Sequence, residues 1–555
     1  MDFYSLLMFL FIAIALILYY KVMKSRQWIC LLIFSMCYYA MCGISGAVYI
    51  FITAISTYLI AIKIENINEK YKRLRKGLSV LPNKKTKSLK EEFGERKEYR
   101  KFSKEESGEK ADEKTEVRKL TKEEKAILKT KNQKEIRKYL ILDLLINLGI
   151  LLFVKCGVYT GSLLLPLGIS FYTFSSIAYL VDVYNKKIRA EKNFGKLLLF
   201  LSYFPQIIQG PINRFDKMRP QYDKVHTFNY ENFKSAIWLF LFGALKKYAI
   251  ADMLVDTIGY IFDNGYEGVP GSLIVFGILL YSAQQYADFS GGIDMAFAIS
   301  KMFDIDMMVN FKRPYFATSL GDFWRRWHIS LGAFMRDYVF YPFALLKPMQ
   351  SFGKWCSKHL GKHFGRVLPA GIANILVFFL VGIWHGFEMH YVAWGLYNGI
   401  VIALSDITQP FWEKKIFKIP HIHANIAHVL RVIRTFIIVN IGWYFDRITN
   451  ISDCIYFFRN TFLYFAPKGF ADMFQTKVLG HVEARYLYGG YAVAAFAILF
   501  VFADSLYLET GHERERLYSK MPVAIKYLVY TYMIFLILAS FMFTQGSGGF
   551  MYANF

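Results

Sequence analysis

Long apolar stretches separated by short polar turns recur along almost the whole chain of 555 residues. Each is long enough to cross a bilayer or to enter it as a re-entrant piece. The stretches are Tyr4–Tyr20, Trp28–Met41, Val48–Ile62, Leu140–Phe153, Leu163–Val181, Leu197–Ile208, Ala236–Phe262, Leu273–Tyr286, Leu368–Trp384, Tyr391–Leu404, Val429–Trp443, Tyr491–Phe502 and Tyr527–Phe543. Several are only about 14 residues long, so we expect roughly eleven spans in an all-α polytopic membrane protein. Regular strand-like alternation is absent from the sequence, which disfavours a β-barrel.

Composition and charge placement agree with this fold class and suggest an orientation. Hydrophobic residues make up 55% of the chain and aromatic residues 18%. The first apolar stretch has no basic leader and no small-residue cleavage site, so we expect a retained helix. Basic residues follow the first stretch at Lys21, Lys24 and Arg26, and Lys63 follows the third. The positive-inside rule therefore places the N-terminus outside and the loop after the third span in the cytoplasm.

One large polar segment, Lys63 to Lys138, interrupts the apolar pattern. It contains 26 Lys and Arg against 15 Asp and Glu, a net charge of +11 out of the chain's +24. Acidic and basic residues about one helical turn apart suggest a charged, partly helical cytoplasmic hairpin. The interpretation that we favour is a solvated, partly disordered loop whose positive charge fixes the topology and contacts anionic lipid. Nucleic-acid binding is the weaker interpretation, because aromatic residues that could stack on bases are sparse here. We therefore expect membrane lipid, and no nucleic acid, among the partners.

Several kinds of chemistry are disfavoured by what the sequence lacks. The six cysteines lie mostly in apolar stretches without metal-finger spacing, so neither disulfides nor a metal site is predicted. No phosphate-binding glycine loop of the nucleotide-hydrolase kind and no dinucleotide fingerprint is present. These absences argue against an ATP-driven pump on this chain and against a bound nucleotide cofactor. They leave a secondary transporter open.

The first candidate for chemistry is His385, in the stretch LVGIWHGFEMHYVAW. It follows about a dozen almost wholly apolar residues, and Gly386 stands beside it. An ionisable group at membrane depth costs about 2.5–3.5 kcal/mol on insertion scales, so it suggests a functional site by default. A neutral imidazole there could accept a proton from a hydroxyl group. The alternative is a histidine that only bonds across helices or closes a helix end.

The second candidate is the stretch SLGDFWRRWHISLGAF. Its aromatic and apolar positions recur at the i, i+3, i+4, i+7 spacing of a helix face. These positions are Trp324, Trp327, His328 and Leu331. The pattern predicts an amphipathic helix at the membrane boundary, with Arg325 and Arg326 on another face, available to phosphate. That phosphate could belong to lipid headgroups or to a phosphate-bearing acyl donor.

A third polar stretch is YADFSGGIDMAF, in which Asp288, Ser290 and Asp294 follow an apolar block. The Gly291–Gly292 pair would allow a helix break or a close helix approach there. These residues could line a site, support it from behind or bind a coupling ion.

Four ordered motifs in this chain resemble the membrane-bound O-acyltransferase (MBOAT) family. They are YFPQIIQGPINR (Tyr203–Arg214), YADFSGGIDMA (Tyr286–Ala296), the run from Asn310 to Pro342 and GIWHG (Gly382–Gly386). Within the family the likeness is to alginate O-acetylation (AlgI-like) proteins, with the teichoic-acid D-alanylation (DltB-like) proteins as relatives. It is strong over Gly161–Gly399.

The resemblance implies a ring of helices around a central tunnel, with additional re-entrant or interfacial helices. His385 matches the family's catalytic histidine and His328 its second characteristic histidine; which of them acts as the base is left open. The implied activity is O-acetylation of an extracellular or cell-wall polysaccharide. The donor would be a cytoplasmic thioester, either acetyl-CoA or an acyl carrier protein. The residues expected to bind that donor or to line the tunnel are Trp324, Arg325, Arg326, Trp327, Asp288, Ser290 and Trp384.

The last six residues, FMYANF, resemble the aromatic ending that is frequent in AlgI-like chains. On this resemblance we expect Tyr552 to be a transient acyl acceptor, with Phe550 and Phe555 docking the tail. A phenolic ester is a better acyl donor than an alkyl ester, which suits a relay. The alternative is a tail that only packs against the rim of the tunnel.

The family resemblance also implies an extracytoplasmic transferase of the SGNH-esterase fold that would modify the polysaccharide, and a location in the bacterial cell membrane. D-alanyl transfer and, from another class, secondary transport through Asp288 and Asp294 remain alternatives. We divide the chain into N-terminal membrane helices (1–62), the charged insertion (63–138), a catalytic core (139–447), an interfacial or external loop (448–490), C-terminal membrane helices (491–545) and the aromatic tail (546–555).

Overall fold

A computed structural model describes residues 6–75, 120–163, 165–207, 209–263, 265, 267–415, 424–514 and 520–544. Within these ranges the chain is helical and contains no β-strand, which confirms the all-α fold class. The helices used below are α1 (Leu6–Ile17), α2 (Gln27–Cys42), α3 (Ile44–Arg75), α4 (Lys122–Tyr159), α5 (Ile169–Tyr184), α6 (Phe194–Ser202), α7 (Phe215–Asp223), α8 (Tyr230–Ala244), α9 (Asp252–Phe262), α10 (Gly271–Met302), α11 (Leu320–Arg326), α12 (Ile329–Met335), α13 (Lys347–His359), α14 (Lys362–His385), α15 (Met389–Lys415), α16 (Ala424–Arg447), α17 (Ile451–Leu463), α18 (Gly469–Phe474), α19 (Ala484–Glu509) and α20 (Val523–Phe543).

Six of these helices are long and apolar enough to cross a membrane. They are α3, α4, α14, α16, α19 and α20, and the apolar helices near the N-terminus, α1 and α2, are shorter. The chain is therefore a multi-pass membrane protein. The expected number of roughly eleven spans stays a prediction, since only six helices in the described ranges meet the length and hydropathy requirement.

Both described ends of the charged segment are helical and continue membrane helices. Thr121 and Glu124 form a reciprocal capping box that begins α4, the helix that then enters the apolar region. Asn132 Nδ2 donates to Asn68 Oδ1 at 3.0 Å, and Thr57 Oγ1 donates to Asp143 Oδ2 at 3.3 Å. Higher positions on α4 pair with lower positions on α3, so the two helices form an antiparallel hairpin. Residues 76–119 lie outside the described residues.

Helix α10 passes without interruption through the polar stretch that contains Gly291 and Gly292. The predicted helix break is therefore absent, whereas the predicted close approach is present. A Cβ atom added to Gly291 would lie 2.7 Å from the carbonyl oxygen of Gly243 on α8. Real Cβ atoms do not come this close to a backbone oxygen, so α8 and α10 can cross only where both carry glycine.

The segment that we expected to be an interfacial or external loop, 448–490, contains α17 and α18 instead. Asn450 caps α17, and Cys454 and Phe457 on that helix are buried. Main-chain N–H groups at the start of α10 donate to the carbonyls of Tyr464 and Phe465 at 2.7 and 2.9 Å. The segment thus closes the first turn of α10, and its side of the membrane stays a prediction.

We predict that Gly291→Ala destabilises the protein by about 1–3 kcal/mol, because the new methyl group must push α8 and α10 apart. Thermal unfolding in lipid nanodiscs measures the effect as a lower midpoint. Gly149→Ala is the matched control, because a Cβ at Gly149 on α4 meets nothing within 4 Å. Equal midpoints for the two variants would contradict the close crossing of α8 and α10.

Candidate active site

His385 is the last residue of α14, and the chain turns there into the antiparallel helix α15. Glycines make this tight pairing possible: a Cβ on Gly382 would lie 2.4 Å from the carbonyl oxygen of Tyr391. A Cβ on Gly386 would lie 2.3 Å from a carboxylate oxygen of Glu388. The two glycines of the GIWHG motif therefore let the backbone turn directly after the histidine.

Three aromatic rings surround the imidazole of His385, which is only 8% exposed. The ring centroids of Trp384 and Trp394 lie 4.8 and 5.2 Å away, each with its edge toward a ring face. The Tyr391 ring stacks at 5.7 Å. Such packing fixes the direction of the imidazole and limits the access of water to it.

The second histidine, His328, lies at a break between two short helices. Helix α11 ends at Arg326 and α12 begins at Ile329, and His328 between them has φ +47° and ψ +52°. The single amphipathic helix predicted through Trp324, Trp327 and His328 is therefore wrong. The left-handed conformation of His328 interrupts it, and Trp327 packs inside the protein, with the Trp443 ring at 5.5 Å.

Asn310 holds the turn at His328 with a set of hydrogen bonds. Its Oδ1 accepts from the main-chain N–H and the hydroxyl of Ser330, at 3.1 and 2.9 Å, and bonds His328 Nδ1 at 3.1 Å. The main-chain carbonyl oxygen of Asn310 accepts from the N–H of Ile329 at 3.0 Å. These bonds stabilise a backbone conformation that is costly for a residue other than glycine.

The same hydrogen bonds fix the tautomer of His328. A main-chain N–H can only donate, so the Asn310 atom that faces Ser330 is the amide oxygen, which can only accept. His328 Nδ1 must then carry the proton and donate it. In the neutral ring the basic lone pair is therefore on Nε2.

The YFPQIIQGPINR motif supports this turn from behind. The main-chain N–H of Ile212 donates to the Ser330 hydroxyl at 3.0 Å, and Asn213 Oδ1 accepts from the N–H of Met308 at 2.8 Å. Arg214 forms an ion pair of 3.0 Å with Asp337, in the helical turn after α12. Motifs that are about a hundred residues apart in the sequence thus meet around one histidine.

One cavity of about 440 Å³ connects the two histidines. Its walls contain His328, His385, the indoles of Trp324 and Trp394, and the charged side chains Arg325 and Asp446. Trp324 Nε1 donates to Asn398 Oδ1 at 3.0 Å, which fixes one wall against α15. The volume and the mixed aromatic and charged lining are typical of a small-molecule site.

Among the residues predicted to bind the donor or to line the tunnel, Trp324, Arg325 and Trp327 lie in the cavity wall. Trp384 packs behind His385 instead. Arg325 is the arginine available to an anion, since its side chain is 72% exposed. Arg326 is occupied, because it contacts Glu509 at 2.8 Å and Asp322 at 3.1 Å.

Asp288 and Ser290 do not line the cavity; they pair with two buried lysines on the π-helical stretch between α8 and α9. Lys247 contacts Asp288 at 2.6 Å, and Lys246 contacts Ser290 at 2.9 Å and Asp294 at 2.7 Å. The prediction that Asp288 and Ser290 line the tunnel is therefore wrong for the described cavity. Their role is to neutralise buried charge, because a lysine without a partner is costly inside the protein.

Four residues of the site were not predicted from the sequence: Asn310, Trp394, Trp443 and Asp446. Asn310 opens one of the quoted motifs, so its position was visible but its contact with His328, 18 residues later, was not. The signal for Asp446 is a lone carboxylate at the end of the apolar stretch that contains Trp443. The predicted tail residues Tyr552, Phe550 and Phe555 lie outside the described residues.

The cavity wall also indicates what kind of ligand the site can hold. Within the described ranges no three His, Cys, Asp or Glu side chains are placed to bind a metal ion. The cavity instead offers two imidazoles for proton transfer, aromatic walls for an apolar group and Arg325 for an anion.

Residues 185–442 match the model of the MBOAT, membrane-bound O-acyltransferase family, and this match spans both histidines. Residues 185–442 thus carry an MBOAT domain, as the motifs predicted, and the enzyme class that this domain supports is an O-acyltransferase.

Curated relatives with related names are similar over part of their length. The Peptidoglycan O-acetyltransferase of Helicobacter pylori is 32% identical over 58% of this chain and 63% of that protein. The Probable alginate O-acetylase AlgI of Pseudomonas syringae pv. tomato is 34% identical over 52% of this chain and 50% of that protein. The Teichoic acid D-alanyltransferase of Bacillus subtilis is 28% identical over 50% of this chain and 67% of that protein. The chain thus matches about half to two thirds of each relative.

We predict that Asn310→Ala loosens the turn at His328, because the donors of His328 and Ser330 lose their acceptor. Each buried donor left without a partner costs about 1–3 kcal/mol. Modification by diethyl pyrocarbonate, followed by peptide mass spectrometry, should show faster reaction at His328, which is now only 3% exposed. Asn229→Ala is the control, since Asn229 also accepts two N–H groups but at the exposed start of α8. Unchanged protection of His328 in the Asn310 variant would contradict this role.

Proposed function

We propose that this protein is an O-acetyltransferase that takes acetyl from a cytoplasmic thioester and passes it across the membrane for O-acetylation of a cell-surface polysaccharide. The observation that carries the proposal is the single cavity that connects His385 and His328 inside the MBOAT domain. Two relatives with acetylase names support acetyl as the acyl group. Acetyl-CoA or an acetyl-loaded acyl carrier protein would be the donor.

His385 is the proposed general base. It removes the proton from the attacking hydroxyl while the hydroxyl oxygen bonds to the acyl carbon; the carbon–sulfur bond then breaks and the thiolate takes up a proton. The rings around His385 restrict water, which would otherwise hydrolyse the thioester. His328, with its proton fixed on Nδ1 by Asn310, orients the reacting groups from the other side of the cavity.

Arg325 is the proposed first contact of the donor. It lies in the cavity wall, it is largely exposed, and its pairing with Asp322 is weak at 3.5 Å. A guanidinium can bind the phosphate of a pantetheine arm in a bidentate manner. The thioester would then reach past Trp324 toward the histidines.

The acceptor that we propose for the first transfer is the phenol of Tyr552, with Phe550 and Phe555 docking the tail. A phenolic ester is reactive enough to pass the acetyl on. We assign the second transfer, to the polysaccharide, to a partner of the SGNH-esterase fold on the outer side of the bacterial cell membrane.

D-alanyl transfer is the second candidate, because the Bacillus subtilis relative that is matched over 67% of its length is a Teichoic acid D-alanyltransferase. The aromatic tail favours acetyl, because such an ending is what the resemblance to AlgI-like chains implies. Secondary transport is disfavoured, since Asp288 and Asp294, the proposed coupling sites, already pair with Lys247 and Lys246.

We predict that His385→Ala lowers the release of CoA from acetyl-CoA by roughly 10²–10⁴-fold, the contribution typical of a general base. The assay uses the full chain in lipid nanodiscs, and a thiol reagent detects the CoA that is released. A carrier protein loaded with D-alanine serves as the second donor. His359→Ala is the control, because His359 is an exposed histidine that bonds a main-chain carbonyl outside the cavity. An unchanged rate in His385→Ala would contradict the proposal, and reaction with the D-alanyl donor alone would replace acetyl by D-alanyl.

Tyr552→Phe is predicted to abolish acetylation of the polysaccharide in cells, because the phenol oxygen is the only atom removed. Membrane insertion, measured by the amount of protein in the membrane fraction, should not change. Normal acetylation of the polysaccharide in Tyr552→Phe would contradict the relay. If acetylation is lost in His385→Ala but normal in Tyr552→Phe, the proposed transferase activity stands and only the role of Tyr552 is contradicted.

A further inference from the structure

Lys155 lies near the end of the membrane-spanning helix α4. It has no role in the acyl transfer as proposed above. A charged side chain in a membrane span costs about 2.5–3.5 kcal/mol on insertion scales, so it requires a partner. Lysines near helix ends often extend toward the interface instead. Here the Lys155 ammonium donates to the main-chain carbonyl oxygen of Trp384 and lies 5.5 Å from the centroid of the Trp384 ring.

That carbonyl belongs to the last turn of α14, directly before His385. The last carbonyls of a helix have no N–H partner within the helix. The N–H of Gly386 reaches back to the carbonyl of Gly382 at 3.2 Å, and Lys155 binds that of Trp384. A positive charge at this end of a helix also interacts favourably with the helix dipole.

The last turn of α4 contacts residues on both sides of His385; we refer to Trp384–Phe387 as the catalytic turn. Lys155 and Tyr159 are four residues apart, so they share one face of α4. Lys155 contacts Trp384, before the histidine, and the Tyr159 ring packs against Phe387, after it, at 6.2 Å. The catalytic turn is thus fixed from a helix that is separate in the sequence from the MBOAT match at residues 185–442.

We propose that Lys155 is a positioning residue for acyl transfer: by binding the carbonyl of Trp384 it fixes the last turn of α14 and the direction of the His385 imidazole. This inference rests on the proposed function. It assigns Lys155 no contact with the donor or the acceptor, because Lys155 is absent from the residues that line the cavity.

The test compares Lys155→Met and Lys155→Arg in the full chain in nanodiscs, with acetyl-CoA as the donor. Because Tyr552 of the same chain is the acceptor in this assay, kcat is the rate constant of CoA release in a single turnover at saturating acetyl-CoA, and KM is the half-saturating concentration. Methionine keeps the length but removes the charge and the donor. We expect kcat to fall by roughly ten- to a hundredfold, as for a misplaced catalytic group, with the KM for acetyl-CoA changed by less than about threefold. Arginine retains both the positive charge and the hydrogen-bond donor, so kcat of Lys155→Arg should stay within about fivefold of the native value. Lys138→Met, an exposed lysine on the same helix, is the control.

The outcomes separate the two proposals. A wild-type protein that releases no CoA would contradict the proposed function and, with it, the role of Lys155. An active wild type with equal kcat in Lys155→Met would overturn the positioning role alone, and Lys155 would then be an interfacial lysine. A raised KM with unchanged kcat would also overturn it, since donor binding would be the affected step.

Discussion

The amide oxygen of Asn310 accepts hydrogen bonds from two residues of one turn, and the geometry of the cavity depends on it. Without these bonds the left-handed conformation of His328 would be costly, and the helical pattern of the sequence would favour a continuous helix. Asn310 thus stabilises a bend between two short helices and gives His328 a defined tautomer.

A second constraint is that a membrane protein must satisfy its buried polar groups from within. This chain does so in pairs between helices that are distant in sequence. Lys246 and Lys247 form ion pairs with Asp294 and Asp288 of α10, and Arg326 forms an ion pair with Glu509. Lys155 donates a hydrogen bond to the main-chain carbonyl of Trp384. Glycines complement these pairs where backbones touch, at the crossing of Gly243 with Gly291 and beside His385. Polar pairing and close approach together stabilise the packing of the helices.

The sequence predicted the parts of this arrangement that are local. The apolar periodicity indicated a polytopic helical protein, and the motifs identified His385, His328 and three residues of the cavity wall. It failed where the outcome depends on distant partners. Arg326 appeared available to phosphate, but its partner Glu509 is 183 residues away in the sequence. Asp288 resembled a site residue until its partner on the neighbouring π-helical stretch was known. Helical spacing also could not reveal the positive φ of His328, which the hydrogen bonds of Asn310 stabilise.

The transfer itself can be followed by labelling the acyl group. The full chain in nanodiscs would be incubated briefly with isotopically labelled acetyl-CoA, and its C-terminal peptide examined by mass spectrometry, for the native protein and for His385→Ala. We expect labelled acetyl on Tyr552 in the native protein and none in the variant. Equal labelling of Tyr552 in both proteins would show that His385, in the cavity shared with His328, does not carry out the transfer.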